Sequence, residues 1–213
     1  IFMDGEWDFA GRLVETFAGY HRQSYACKTG VGDVAIGAAA LIAEYNGVER
    51  ASHIRDKIVE MNLLNETIWS CCVACSFKGE KTPAGNYLID LLLANVAKQN
   101  VTRFPYEISR LLQDIAGGLM VTMPGAAEFE NPETREFIEK YLKGAGTVTA
   151  KNRFRLLRLI ENLTLGRAAV GYLTESMHGA GSPQAQRIMI SRLARLDKKK
   201  ELAKHIAGIE DES

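Results

Sequence analysis

Apolar residues recur at helical spacing along most of the chain, and no run of alternating apolar and polar β-branched residues stands between turn signals. The pattern predicts an all-α fold. Residues 8–18 make a short opening segment. Thr29-Gly30-Val31-Gly32-Asp33 breaks the pattern and starts a helix to about residue 46, whose Gly37, Ala38, Ala39 and Ala40 leave room for another helix to approach. Ile54, Ile58, Met61 and Leu64 form one stripe of a helix over 51–77, closed by Lys78-Gly79. After the loop Thr82-Pro83-Ala84-Gly85, residues 86–99 are apolar nearly all round, as expected of a helix buried on more than one side. Pro105 suits the first turn of a helix over 104–116, which Gly117-Gly118 ends. Residues 119–129, centred on Pro124-Gly125, predict an irregular connection. Further helices are predicted over 132–142, 149–176, 183–193 and 198–207, with Gly166 and Gly171 as weak points in the second of these. Such helices make a bundle of the four-helix kind with additions at its ends.

At 213 residues the chain can bury one ordinary core, so a single domain is expected. Lys plus Arg equals Asp plus Glu at 26 each, which gives no global field toward nucleic acid or an anionic membrane. The run Lys198-Lys199-Lys200 reads as a solvated helix face. The apolar stretches 34–43 and 88–97, interrupted by Gly37 and Asp90, fall short of the roughly 20 residues that span a bilayer. The chain opens on apolar Ile1-Phe2-Met3, with no initiator methionine and no leader, which predicts a piece of a longer soluble protein. Three of four cysteines crowd at Cys71, Cys72 and Cys75, unlike a secreted disulfide framework, so a cytoplasmic location is expected. With no second pair, and with Trp69, Val73 and Phe77 around them, these thiols read as core rather than as a metal box.

Candidate chemistry gathers in two places. Tyr20-His21-Arg22-Gln23-Ser24-Tyr25-Ala26-Cys27-Lys28 puts an imidazole, a phenol, a thiol and an ammonium within nine residues. His21 and Cys27 can ligate a soft or borderline metal, Tyr25 and His21 can move protons, and Lys28 can hold an anion. Two ligands do not complete a cluster site, which takes about four. The second place is Thr174-Glu175-Ser176-Met177-His178-Gly179-Ala180-Gly181-Ser182-Pro183-Gln184-Ala185-Gln186-Arg187. Gly179 and Gly181 let backbone approach a flat or anionic ligand, and Ser182-Pro183 starts a helix whose free N–H groups face the loop. The same glycines also fit an ordinary tight connection. Glu175 becomes a general base if it is kept from water. His53 and His205 read as surface or cap residues, Asp33 and Asp90 as caps or buried partners, and Arg103-Phe104-Pro105-Tyr106-Glu107 as an anion-receiving helix start or a packed cap.

These two stretches, with 86–107 and 114–124 between them, resemble the C-terminal helical domain of the 4-hydroxyphenylacetate 3-hydroxylase family of flavoproteins, and within it the 4-hydroxybutyryl-CoA dehydratase branch. The resemblance covers nearly the whole chain and implies an all-α helical bundle like the acyl-CoA dehydrogenase C-terminal domain. It implies a complete subunit with an N-terminal helical domain and a central β domain, a homotetramer, and FAD held between subunits. It implies dehydration of 4-hydroxybutyryl-CoA to crotonyl-CoA and isomerisation of vinylacetyl-CoA. In that chemistry a flavin transiently oxidises the substrate enolate and a [4Fe–4S] cluster acts as a Lewis acid on the departing hydroxyl. Carried onto this chain, the resemblance makes His21 and Cys27 cluster ligands, with two further cysteines upstream. His21, Tyr25, Lys28 and Glu175 become catalytic residues. Lys28, Glu175, Gly179, Ala180, Gly181, Ser182 and Gln184 line the cofactor pocket. The fragment alone is expected to be inactive. In the family pattern two glycines separate the tyrosine from the cysteine, whereas Ala26 alone stands between Tyr25 and Cys27. That departure leaves a cluster-free flavin-dependent aromatic monooxygenase as the alternative, beside a purely structural assembly domain.

Overall fold

A computed structural model describes residues 4–209; the apolar opening Ile1-Phe2-Met3 lies outside the described residues. In chain order the helices are α1 (Trp7–Gln23), α2 (Cys27–Tyr45), α3 (Ser52–Phe77), α4 (Leu91–Val101), α5 (Phe104–Ala116), α6 (Leu119–Thr122), α7 (Arg135–Tyr141), α8 (Ala150–Thr164), α9 (Arg167–Ala169), α10 (Glu175–His178), α11 (Pro183–Leu193) and α12 (Leu196–Ala207). A 3₁₀ turn (Ser24–Ala26) joins α1 to α2, another (Ala126–Phe129) follows α6, and a π-helical segment (Val170–Thr174) joins α9 to α10. The expected all-α fold is observed.

The main core is a four-helix arrangement of α2, α3, α5 and α8. Ala35, Ala38, Ala39, Ile42 and Ala43 of α2 meet Ile54 and Met61 of α3, Ile108, Leu111, Leu112 and Ile115 of α5, and Leu156, Leu157 and Ile160 of α8. The alanines of α2 allow this approach, while Gly37 faces open space. A second layer packs α1 and α11 on α4, and α4 on α3. Tyr25, Ile68, Cys72, Ala97 and Val101 form its apolar heart. Local signals set several boundaries. The Asp90 carboxylate accepts from Leu93 N at 2.8 Å to start α4, Thr149 Oγ1 accepts from Asn152 N at 3.2 Å to start α8, and Gly117 at φ +75° ends α5.

The structure departs from the sequence reading at six places. Thr29-Gly30-Val31-Gly32-Asp33 does not break the chain: α1, the 3₁₀ turn and α2 run on as one helical path from Trp7 to Tyr45. Gly32 stands inside the helix, where a Cβ would fall 2.0 Å from Asn65 Oδ1, so the glycine serves a close helix crossing. By length and composition this path is long and apolar enough to cross a membrane, unlike the short runs seen in the sequence, although its α2 half is core. Glu80–Lys81 pairs antiparallel with Tyr87–Leu88, a hairpin too short to show alternation, so α4 begins at Leu91 rather than near residue 86.

The predicted helix 149–176 is broken where the amides of Leu165 and Gly166 both turn back to Glu161 O, at 2.7 and 2.9 Å. Residues 119–129 carry two short helical turns rather than none. Finally, Cys72 and Cys75 are buried as expected and Cys71 partly so, but the apolar side chains beside them face outward: Phe77 is 87% exposed, and Trp69 and Val73 are half exposed.

Candidate functional site

The two stretches singled out in the sequence meet. Tyr25 sits in the 3₁₀ turn between α1 and α2 and donates its phenolic hydrogen to Glu175 Oε1 at 2.5 Å. Lys28, in the first turn of α2, donates to Glu175 Oε2 at 2.5 Å and to Gly171 O at 2.7 Å. One carboxylate therefore holds a phenol and an ammonium at its two oxygens. A π-helical turn leaves carbonyls out of the ordinary ladder and marks functional segments in many helices. Here Lys28 takes the Gly171 carbonyl, Ser176 Oγ donates to the same oxygen at 3.3 Å, and Lys98 Nζ donates to Ser176 O. Two lysines thus fix the irregular backbone that carries Glu175.

Gly179 follows one turn later and has no room for a side chain. A Cβ there would lie 1.7 Å from Tyr25 Oη and 2.6 Å from Glu175 Oε1. Ala180 is left-handed at φ +59° and Gly181 at φ +99°, which makes the sharp turn before α11. Arg22 of α1, buried, donates through Nε to Ala180 O at 3.1 Å and through Nη1 to Asn95 Oδ1 at 2.8 Å. Buried Gln186 braces the turn from the other side, donating to Gly181 O at 2.9 Å. Ser182 and Gln184 are exposed at the start of α11.

His21 and Cys27 lie beside this cluster and both are exposed. The His21 ring stands 5.7 Å from the Tyr25 ring and 6.3 Å from Phe17. Among the described residues no group of three or more His, Cys, Asp and Glu is placed to hold a metal ion. An imidazole and a sulfur are ligand types that an iron–sulfur centre can take, but two of them do not complete one.

The charges in the cluster are set by burial and by these bonds. Desolvation pushes the Glu175 carboxyl up, but hydrogen bonds from Lys28 and Tyr25 outweigh it and hold the group below the ordinary carboxylate range. Burial first, then the hydrogen bond to Glu175 and its charge, push the Tyr25 phenol far above its usual value, so it stays a neutral donor. The Glu175 side chain is 45% exposed. It is an ionised anchor for two donors, and the shelter from water that a general base needs is not provided by the described residues.

Arg22, Asn95, Lys98 and Gln186 were not singled out in the sequence. A signal for two of them was present: Asn95 and Lys98 stand three residues apart in a helix otherwise apolar nearly all round, so the same burial that removes its leucines from water must also bury them. The remaining sequence candidates lie apart from this cluster. His53 and His205 are exposed, Asp33 accepts from Asn65 Nδ2 at 2.8 Å, and Glu107 is held by Arg110 at 2.6 Å.

Comparison with known proteins fits this architecture. The chain is 62% identical, over 98% of its length and 44% of the relative's, to the 4-hydroxybutyryl-CoA dehydratase/vinylacetyl-CoA-Δ-isomerase of Clostridium aminobutyricum. It superposes with a TM-score of 0.94 on an oxygen-tolerant archaeal 4-hydroxybutyryl-CoA dehydratase from N. maritimus, at 62% identity, covering 99% of this chain and 42% of that one. The oxygenase component of 4-hydroxyphenylacetate 3-monooxygenase, solved with FAD and 4-hydroxyphenylacetate, shares the fold at a TM-score of 0.79 and 23% identity, over 87% of this chain and 39% of its own. The chain therefore spans less than half the length of these relatives. Residues 10–208 match the family described as HpaB, 4-hydroxyphenylacetate 3-hydroxylase C terminal, and the chain belongs to that family.

Proposed function

We propose that this chain is the C-terminal helical domain of a FAD- and [4Fe–4S]-dependent 4-hydroxybutyryl-CoA dehydratase and vinylacetyl-CoA isomerase. The observation that carries the reading is the junction of Tyr25, Lys28 and Glu175 under the Gly179–Gly181 turn, in a chain 62% identical to an enzyme of that name. The whole subunit adds an N-terminal helical domain and a central β domain, assembles as a homotetramer in the cytoplasm, and takes an acyl-CoA substrate. The isolated domain is inactive, because it holds only His21 and Cys27 of about four cluster ligands.

The residues present suit the two cofactors. Gly179 has no space for a Cβ, the turn after it is left-handed, and exposed Gly181, Ser182 and Gln184 lead into the N-terminus of α11, an open edge for a flat, anionic group. His21 and Cys27, both exposed and on either side of Tyr25 in the chain, offer one nitrogen and one sulfur. FAD supplies one-electron redox chemistry there, and the cluster supplies Lewis acidity. The chain's own residues do the rest. Tyr25 presents a neutral hydroxyl that donates to an oxygen, Lys28 places a positive charge where an enolate oxygen develops, and Glu175 orients both. The exposed His21 imidazole, beside the Tyr25 ring, takes the proton from C2 of the acyl chain.

Full-length protein purified without oxygen tests the reading. It is expected to carry iron, acid-labile sulfide and FAD and to form crotonyl-CoA from 4-hydroxybutyryl-CoA; protein that keeps FAD but lacks iron and sulfide contradicts it. The single residue between Tyr25 and Cys27 favours a second reading, a cluster-free aromatic monooxygenase, which would retain FAD and hydroxylate 4-hydroxyphenylacetate.

A further inference from the structure

Lys98 has no exposed surface, yet it makes no ion pair with a described residue. Its ammonium stands 4.1 Å above the centre of the Tyr25 ring and donates to Ser176 O, the carbonyl next to Glu175. Burying an ammonium without a carboxylate in contact is costly, and a helix as apolar as α4 would pack better with Met or Leu at this point. The cation instead joins the two halves of the site: one contact fixes the plane of the Tyr25 ring, the other fixes the backbone just after the π-helical turn. Lys28 also bridges the two halves, 5.4 Å from the Tyr25 ring centre and bonded to Gly171 O and Glu175 Oε2, but of the two cations Lys98 is the one with no exposed surface. The charged and titratable groups facing it are Arg22 from α1, Tyr25 from the 3₁₀ turn, Lys28 from α2 and Glu175 from α10, with the Cys72 thiol of α3 in the same apolar cluster as Tyr25.

We propose that Lys98 is a positioning residue for the reaction, a buried cation that holds the Tyr25 ring and the Glu175 segment in the geometry in which phenol, carboxylate and Lys28 act together. The assignment rests on the dehydratase reading. The phenol face attracts a cation most strongly when water is excluded, as it is here. Because the charge matters and not only the volume, arginine is expected to replace lysine better than an uncharged side chain of similar length.

The test uses full-length enzyme. Wild-type formation of crotonyl-CoA is the control for the dehydratase reading, so its failure is seen separately. Lys98→Met is expected to lower kcat on the order of 100-fold, the scale of a misplacement of about 1 Å, with KM for the acyl-CoA little changed. Lys98→Arg is expected to recover most of kcat. Desolvation lowers the Lys98 pKa to about 8. Wild-type kcat is therefore expected to fall on the alkaline side near that pH, and the Arg variant, charged throughout, is expected to lose that limb. Lys98→Gln serves as the uncharged variant if Lys98→Met does not fold. An uncharged variant with wild-type kcat overturns the assignment. So do equal losses in folded Met and Arg variants, or a loss confined to KM.

Discussion

The two layers of the molecule are packed on different terms. Around α2, α5 and α8 the buried side chains are almost all aliphatic, and alanine is the residue that lets α2 approach its neighbours. Around the 3₁₀ turn, α4 and α10 the interior holds Arg22, Asn95, Lys98, Ser176 and Gln186, with two of those charges lacking a carboxylate within ion-pairing distance. The first arrangement is what burial of apolar surface alone would select. The second costs stability, and it holds a phenol, a carboxylate and an ammonium in one place, the kind of cluster in which perturbed titrations gather.

Substitutions can break this contrast from either side. The largest effect is expected from Glu175→Gln in the full-length enzyme: it removes the charge to which Tyr25 and Lys28 are bound, and turnover should drop about 10²–10⁴-fold while the thermal unfolding of the protein is little changed. Leu112→Ala, in the apolar layer, should do the reverse, lowering stability by about 2–5 kcal/mol in denaturant unfolding and leaving the turnover of the folded fraction intact.

Lys98→Met sharpens the comparison through pH. The folded state penalises the Lys98 ammonium, whose pKa falls from 10.5 to about 8, so the penalty is complete below pH 8 and fades as pH rises toward 10.5. The Met variant should therefore be more stable than wild type near pH 7, by on the order of 3 kcal/mol, with the gap closing through that window. Gly179→Ala should lower turnover by about 100-fold, since its methyl group would land 1.7 Å from Tyr25 Oη and the phenol would have to move.

The apolar layer was legible in the chain because its signals are local. The stripe Ile54, Ile58, Met61, Leu64 and the Pro105 and Gly117 boundaries place α3 and α5 to within a residue or two. The site was legible only as residue types. Gly30 and Gly32 read as breakers by propensity, but α3 crosses so closely that Gly32 is required inside a helix, and only the tertiary contact with Asn65 reveals it. Likewise Glu175 could be named from its neighbours, but its aim depends on the π-helical turn, which two lysines from distant segments hold in place. Burial was also misjudged at Phe77, because a helix of mixed faces gives no strong stripe near its end.

Tyr25→Phe isolates the central claim, for it keeps the ring beneath Lys98 and removes only the hydroxyl bound to Glu175. In full-length enzyme prepared without oxygen, with FAD and iron content equal to wild type, crotonyl-CoA formation from 4-hydroxybutyryl-CoA is predicted to fall by about 10²-fold or more. Turnover equal to that of wild type would contradict the account.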